Sequence, residues 1–143
     1  MNQERAPDEY EFNRVVFGVN SSPFQAQFVA QTHAEKHKDE FPMAAETVLK
    51  STYTDDSMDS VVDESQGIKL YEELNQLWSK AGMQAHKWLS NSTKILERIP
   101  VESRASEVHI ANDGLRVVKT LGVTWLPGED VFTFNANLSL IHI

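Results

Sequence analysis

Apolar positions along the chain fall into short blocks separated by prolines, glycines and paired polar residues, and each block predicts an element. Residues 1–12 are polar and acidic without a clear period, which predicts a poorly structured N-terminal segment. Residues 14–18 read as a short strand or extended lead-in, broken by Asn20, Ser21, Ser22 and Pro23. Ser22 suits an N-cap, Pro23 the first helical position, and Gln25 completes a capping-box pattern, so a helix is expected over 23–39. Its stripe is Ala26, Val29, Ala30, His33 and His37, and Pro42 is expected to stop it. Residues 47–54 are rich in β-branched and aromatic side chains and read as a strand, with 57–62 as the return strand and Asp55-Asp56 at the hairpin tip. Leu70, Tyr71, Leu74, Leu77, Trp78 and Ala81 recur at helical spacing, predicting an amphipathic helix over 64–80 closed by Gly82. Residues 83–89 read as another strand, and Ser90 as the cap of a short helix reaching Arg98 and ended by Pro100. A second hairpin is expected from 115–125 and 131–134 around Pro127, Gly128, Glu129 and Asp130. This order suits an α+β fold, an antiparallel sheet with helices on one face.

Length and composition narrow the classes. The 143 residues suit one domain, and the absence of cysteine excludes disulfides, thiol nucleophiles and Cys-based zinc sites. No apolar run reaches the roughly 18 residues of a membrane span, and Met1 to Arg5 do not begin a secretory leader, so a soluble intracellular domain is expected. The net charge of −8 is uneven: residues 41–80 hold three basic and eight acidic side chains. A free-standing nucleic-acid binder usually shows a basic stripe instead. Such an acidic block is either a solvated helix face or a cation site.

The second alternative centres on Tyr53-Thr54-Asp55-Asp56. Adjacent carboxylates at a hairpin tip cannot pair with each other, and a divalent cation relieves their repulsion. Mg²⁺ is commonly held by one or two carboxylates plus substrate phosphates, and two such ions roughly 3.5–4 Å apart support in-line phosphoryl displacement. His33 and His37, spaced i, i+4, lack the His-Glu-x-x-His order and a third ligand, and read as surface or interface residues.

Tyr53-Thr54-Asp55-Asp56 resembles the Tyr-x-Asp-Asp box of reverse transcriptases. Upstream, Val16-Phe17-Gly18-Val19-Asn20-Ser21-Ser22-Pro23-Phe24 is similar to their preceding palm motif, a Phe-Gly turn into a Pro-initiated helix. Downstream, Ala81-Gly82-Met83 with Lys87-Trp88-Leu89-Ser90-Asn91 resembles the next palm motif. Leu121-Gly122-Val123-Thr124-Trp125, followed by Asp130-Val131-Phe132-Thr133-Phe134, resembles the hairpin that grips the primer. Together these span about residues 10–135 and most resemble the reverse transcriptase of BEL/Pao-type LTR retrotransposons.

The resemblance implies a partial polymerase palm with a primer-grip-like hairpin over 13–135. It implies Asp55 and Asp56 as metal carboxylates, Asp55 foremost, for two Mg²⁺ ions with Mn²⁺ as the alternative. Tyr53 would sit under the primer terminus. Phe17, Gly18, Ser21 and Pro23 would lie beside the incoming nucleotide and template. Lys87 would be catalytic near the pyrophosphate leaving group, and Leu121, Gly122 and Trp125 would position the primer. The implied partners are an RNA or DNA template with primer, a dNTP and the rest of the retroelement polyprotein, with no membrane, in a cytoplasmic particle.

The sequence also departs from the family. The third palm carboxylate belongs on an earlier strand, and the carboxylates just ahead of the Phe17 turn, Asp8, Glu9 and Glu11, sit too close to it to belong to a separate strand. The fingers are missing, so the chain alone is expected to be inactive. Thr54 replaces a commonly apolar residue, and Asp59 adds negative charge near the tip. Residues 138–143 (Leu-Ser-Leu-Ile-His-Ile) look like a translated transposase adapter, so 136–143 are expected to be an artefactual tail. The rivals to the polymerase reading are a non-enzymatic retroelement remnant acting through protein contacts, and an acidic cation-binding module built on Asp55, Asp56, Asp59 and Asp63.

Overall fold

The computed structural model describes residues 8–105, 109–110, 116–120 and 123–133. Among them lie four α-helices and two antiparallel sheets, an α+β arrangement: α1 (Ser22–Lys36), α2 (Pro42–Lys50), β1 (Thr52–Tyr53), β2 (Asp56–Ser57), α3 (Glu64–Lys80), α4 (Thr93–Arg98), β3 (His109–Ile110), β4 (Arg116–Thr120), β5 (Val123–Leu126) and β6 (Val131–Thr133). β1 and β2 form a two-stranded hairpin, and β3 to β6 form a separate four-stranded meander, where one sheet is expected from sequence.

The helices pack in chain order, α1 on α2, α2 on α3 and α3 on α4. Their shared core is Ala34, Phe41, Ala44, Ala45, Val48, Leu74 and Leu77. Small residues on α1 and α2 let their backbones approach, while the leucines of α3 fill the remaining volume. His33 is part of this packing: its Nε2 donates to the Leu77 carbonyl at 2.8 Å and its ring stacks on Trp78.

α3 coincides with the predicted 64–80 for identifiable reasons. Asp63 caps it by accepting from the Gln66 N–H, and at the other end Gly82, at φ +66°, allows its own N–H and that of Met83 to bond the Ser79 and Trp78 carbonyls. That is the left-handed glycine stop that ends many helices.

Several expectations need correction. Residues 14–18 are bends and turns, not a strand; Gly18 lies at φ +88°, and Ser22 spends its hydroxyl on the Val16 carbonyl instead of capping. Ser21 is the N-cap residue, and α1 stops at Lys36, short of 39. Half of 47–54, the residues 47–50, is helical, because Pro42 does not stop α1 but starts α2, and Ala44, Ala45 and Val48 bury one face. Only Thr52–Tyr53 remains extended, and the return strand shrinks from 57–62 to Asp56–Ser57. Residues 83–89 are not a strand: Lys87 sits at φ +59°, which breaks extended backbone, and Trp88 makes only an isolated bridge to Arg104. The short helix is capped by Ser92, whose Oγ accepts from the Ile95 N–H, while Ser90 accepts from the Ser92 N–H.

Candidate functional site

β1 and β2 pair with Tyr53 opposite Asp56 and Thr52 opposite Ser57, and the Met58 N–H extends the ladder to the Ser51 carbonyl. This register leaves Thr54 and Asp55 as a two-residue turn. Such turns need positive φ at their first central position, and Thr54 supplies it at φ +57°. A β-branched residue there is strained by about 1–3 kcal/mol. The acid pair is thus at the hairpin tip, as the sequence predicts, with Asp55 in the turn and Asp56 opening β2. Both carboxylates and Tyr53 are exposed.

The hairpin is anchored from two sides. α2 runs into it through Ser51, and the Thr52 hydroxyl meets both the Thr47 carbonyl and Ser57 Oγ. From α1, the Gln27 side chain reaches the backbone on either side of Tyr53, at Thr52 and Thr54. Gln27 lies one helical turn beyond Pro23, so the Phe17–Pro23 turn and the acidic tip are built on the same helix. Phe17 itself is fully exposed, and Gly18, Ser21 and Pro23 are exposed beside it.

A cleft of about 860 Å³ opens beside β2. Asp56, Asp59, Lys87, Trp88, Trp125 and Phe132 are among the side chains lining it. Trp88 stands edge-on to Tyr71 and donates its indole N–H to the Ala85 carbonyl. Trp125 sits opposite Phe132 in the β5–β6 ladder and donates to Asp130 Oδ1 at 3.1 Å. Asp56, Lys87 and Trp125, which belong to three separate sequence motifs, therefore face one space. Asp55 does not line it and stands at the tip outside. Leu121 and Gly122 lie outside the described residues, as do 1–7, 134–135 and the tail 136–143.

Asp59 and Asp63, the other two aspartates of the middle segment, have structural partners. Asp59 accepts from the Thr47 hydroxyl and the Ser60 N–H, and Asp63 caps α3. Among the described residues no three His, Asp or Glu side chains converge as a metal ligand set. The four aspartates of the cation-module reading are thus split between the hairpin tip and separate structural bonds.

Two residues that sequence reasoning passed over hold this region together. Gln27 shares a helical stripe with Ala30 and Ala34, and Glu73 lies among Leu70, Leu74 and Leu77; a polar residue on an apolar stripe is the signal each one leaves. Comparison with protein-family models, with curated proteins and with solved structures finds no match.

Proposed function

We propose that this chain is part of the palm of a nucleotidyl-transferring polymerase. Within that class the reading is a reverse transcriptase of the BEL/Pao type, supported by four motifs in order along the sequence. The observation that carries it is that Asp56, Lys87 and Trp125 line one cleft beside β2.

The donors at the tip are oxygen only, exposed and close in sequence, which suits Mg²⁺ and leaves most of its coordination for water and phosphate. When bound, the metal would lower the energy of the attacking 3′-oxygen and of the charge on the transferred phosphoryl group. Asp55 and Asp56 would hold it. In the reaction the primer 3′-hydroxyl would give its proton to solvent, its oxygen would bond to the α-phosphorus, the bond from that phosphorus to the oxygen bridging to the β-phosphate would break, and pyrophosphate would leave. The Lys87 ammonium faces the same cleft and supplies positive charge or a proton to that leaving group. Trp125 and Phe132 offer flat apolar faces against which the primer end rests.

These residues supply two of the three carboxylates that such a palm uses, so extension of a primer by residues 1–143 alone is not expected. Metal binding is the sharper test. Mn²⁺ added to the ¹⁵N-labelled chain should broaden the amide signals of Tyr53 to Ser57 first, and Asp55→Asn with Asp56→Asn should abolish that effect. Broadening centred on another acidic group, with the hairpin untouched, overturns the palm reading.

A further inference from the structure

We propose that Gln27 is a positioning residue, a side-chain clamp that fixes the shape of the Thr54-Asp55 turn and through it the metal affinity of the acid pair. The second half of this rests on the palm reading; the first does not.

In a two-stranded antiparallel hairpin the backbone groups flanking a hydrogen-bonded pair point outward, to the open edge. Tyr53 and Asp56 form that pair, so the Thr52 carbonyl and the Thr54 N–H face away from β2. Gln27 meets both: its Nε2 donates to the Thr52 carbonyl at 3.0 Å, and its Oε1 accepts from the Thr54 N–H at 3.0 Å. One donor and one acceptor, matched to a carbonyl and an N–H on either side of one residue, is what a peptide of a neighbouring strand would offer. Only one orientation of the amide satisfies both bonds, since the flipped amide would set two donors and two acceptors against each other. The clamp grips the one residue of the tip with unfavourable backbone geometry, Thr54 at φ +57°. A hairpin of two residues per strand is marginal without such support. Because Gln27 follows Pro23 by one turn, the clamp also ties the acidic tip to the helix that the Phe17-Gly18 turn introduces.

The test uses the full 143-residue chain, with amide exchange and Mn²⁺ affinity measured by NMR. Gln27→Met keeps length and volume and removes both bonds. The expected result is about tenfold faster exchange at Thr54, unchanged protection at Val48 and Leu77, and Mn²⁺ binding at Asp55 and Asp56 weakened about threefold or more. Thr32→Ala, an exposed change on the same helix whose hydroxyl bonds only the Phe28 carbonyl, should move neither readout. Thr54 exchange at the wild-type rate in a folded Gln27→Met chain overturns the clamp. Faster exchange with unaltered Mn²⁺ affinity overturns the positioning role. If Gln27→Met loses protection throughout, Gln27→Glu decides by its pH dependence, because only the protonated carboxyl offers a donor to the Thr52 carbonyl and an acceptor to the Thr54 N–H: Thr54 protection, relative to wild type at the same pH, that returns as the pH falls through the carboxylate range supports the clamp, and protection equally absent when that carboxyl is protonated overturns it. Absence of Mn²⁺ binding in the wild type sinks the palm reading and the positioning role together, while Thr54 exchange still judges the clamp.

Discussion

Glu73 joins α3 to the start of α2, and its removal gives the most quantitative prediction. It is 8% exposed, and one carboxylate oxygen, Oε2, accepts from the Met43 N–H at 2.9 Å and the Ala44 N–H at 3.1 Å. Those N–H groups belong to the first turn of α2, where no intrahelical partner exists and the helix dipole favours a negative charge. Lys69 lies 3.7 Å from the other oxygen but is 62% exposed, so that ion pair adds little. In Glu73→Ala the lost cap costs about 1–2 kcal/mol and the buried Ala44 N–H left without an acceptor about 1–3 kcal/mol. Part of the second cost overlaps the first, so about 2–4 kcal/mol in total is expected from these principles. For a chain of this size that lowers the melting temperature by on the order of 10 °C. Glu73→Gln keeps one acceptor oxygen and should lose roughly half as much. Urea unfolding followed by circular dichroism measures both. A Glu73→Ala chain within about 0.5 kcal/mol of wild type, the ordinary range for surface changes, would refute the capping argument.

Two further outcomes follow from the same packing. The Asp63 carboxyl is held below its ordinary value by the Gln66 N–H and then the Ser65 hydroxyl, and Glu64 by hydrogen bonds from Lys94 and then Ser92. A depressed carboxylate contributes stability that is present above its unfolded pKa and disappears as pH falls through the folded one. The stability gap between wild type and an Asp63→Ala, Glu64→Ala chain should therefore close between about pH 5 and pH 2 in melting experiments, and a gap independent of pH would contradict this. In α3, a Cβ on Gly67 would overlap Ile95 Cδ1 and sit 3.3 Å from Ile95 Cγ1 and 3.4 Å from Val61 Cγ2. Gly67→Val should cost about 1–3 kcal/mol by pushing α4 off α3, and a melting temperature at or above wild type would show that α4 gives way freely.

How much of this was legible depended on how local each signal was. α3 was readable to its ends because its apolar stripe, its Asp63 cap and its Gly82 stop all act within the helix. The acid pair at the hairpin tip was readable too, from polar residues placed between two apolar blocks. α2 was not: Thr47 and Val48 have strand character alone, and only burial against α1 and α3 makes Pro42–Lys50 helical. Lys87 at positive φ has no sequence signature, so the predicted strand at 83–89 was lost. Gln27 and Glu73 could be noticed as polar residues on apolar stripes, but their partners lie at least 25 residues away and no local pattern names them.

The central claim is that the acidic hairpin tip and the cleft beside it receive a primer end. A primer–template duplex carrying a photoreactive base at the primer 3′ terminus, irradiated with the chain and Mg²⁺ at low salt, tests it most directly. Mass spectrometry of the digest locates the attachment. The account predicts adducts on Tyr53, Trp125 and Phe132, lost when unlabelled primer–template competes. Adducts confined to the outer faces of α3 and α4, or unaffected by the competitor, would contradict it.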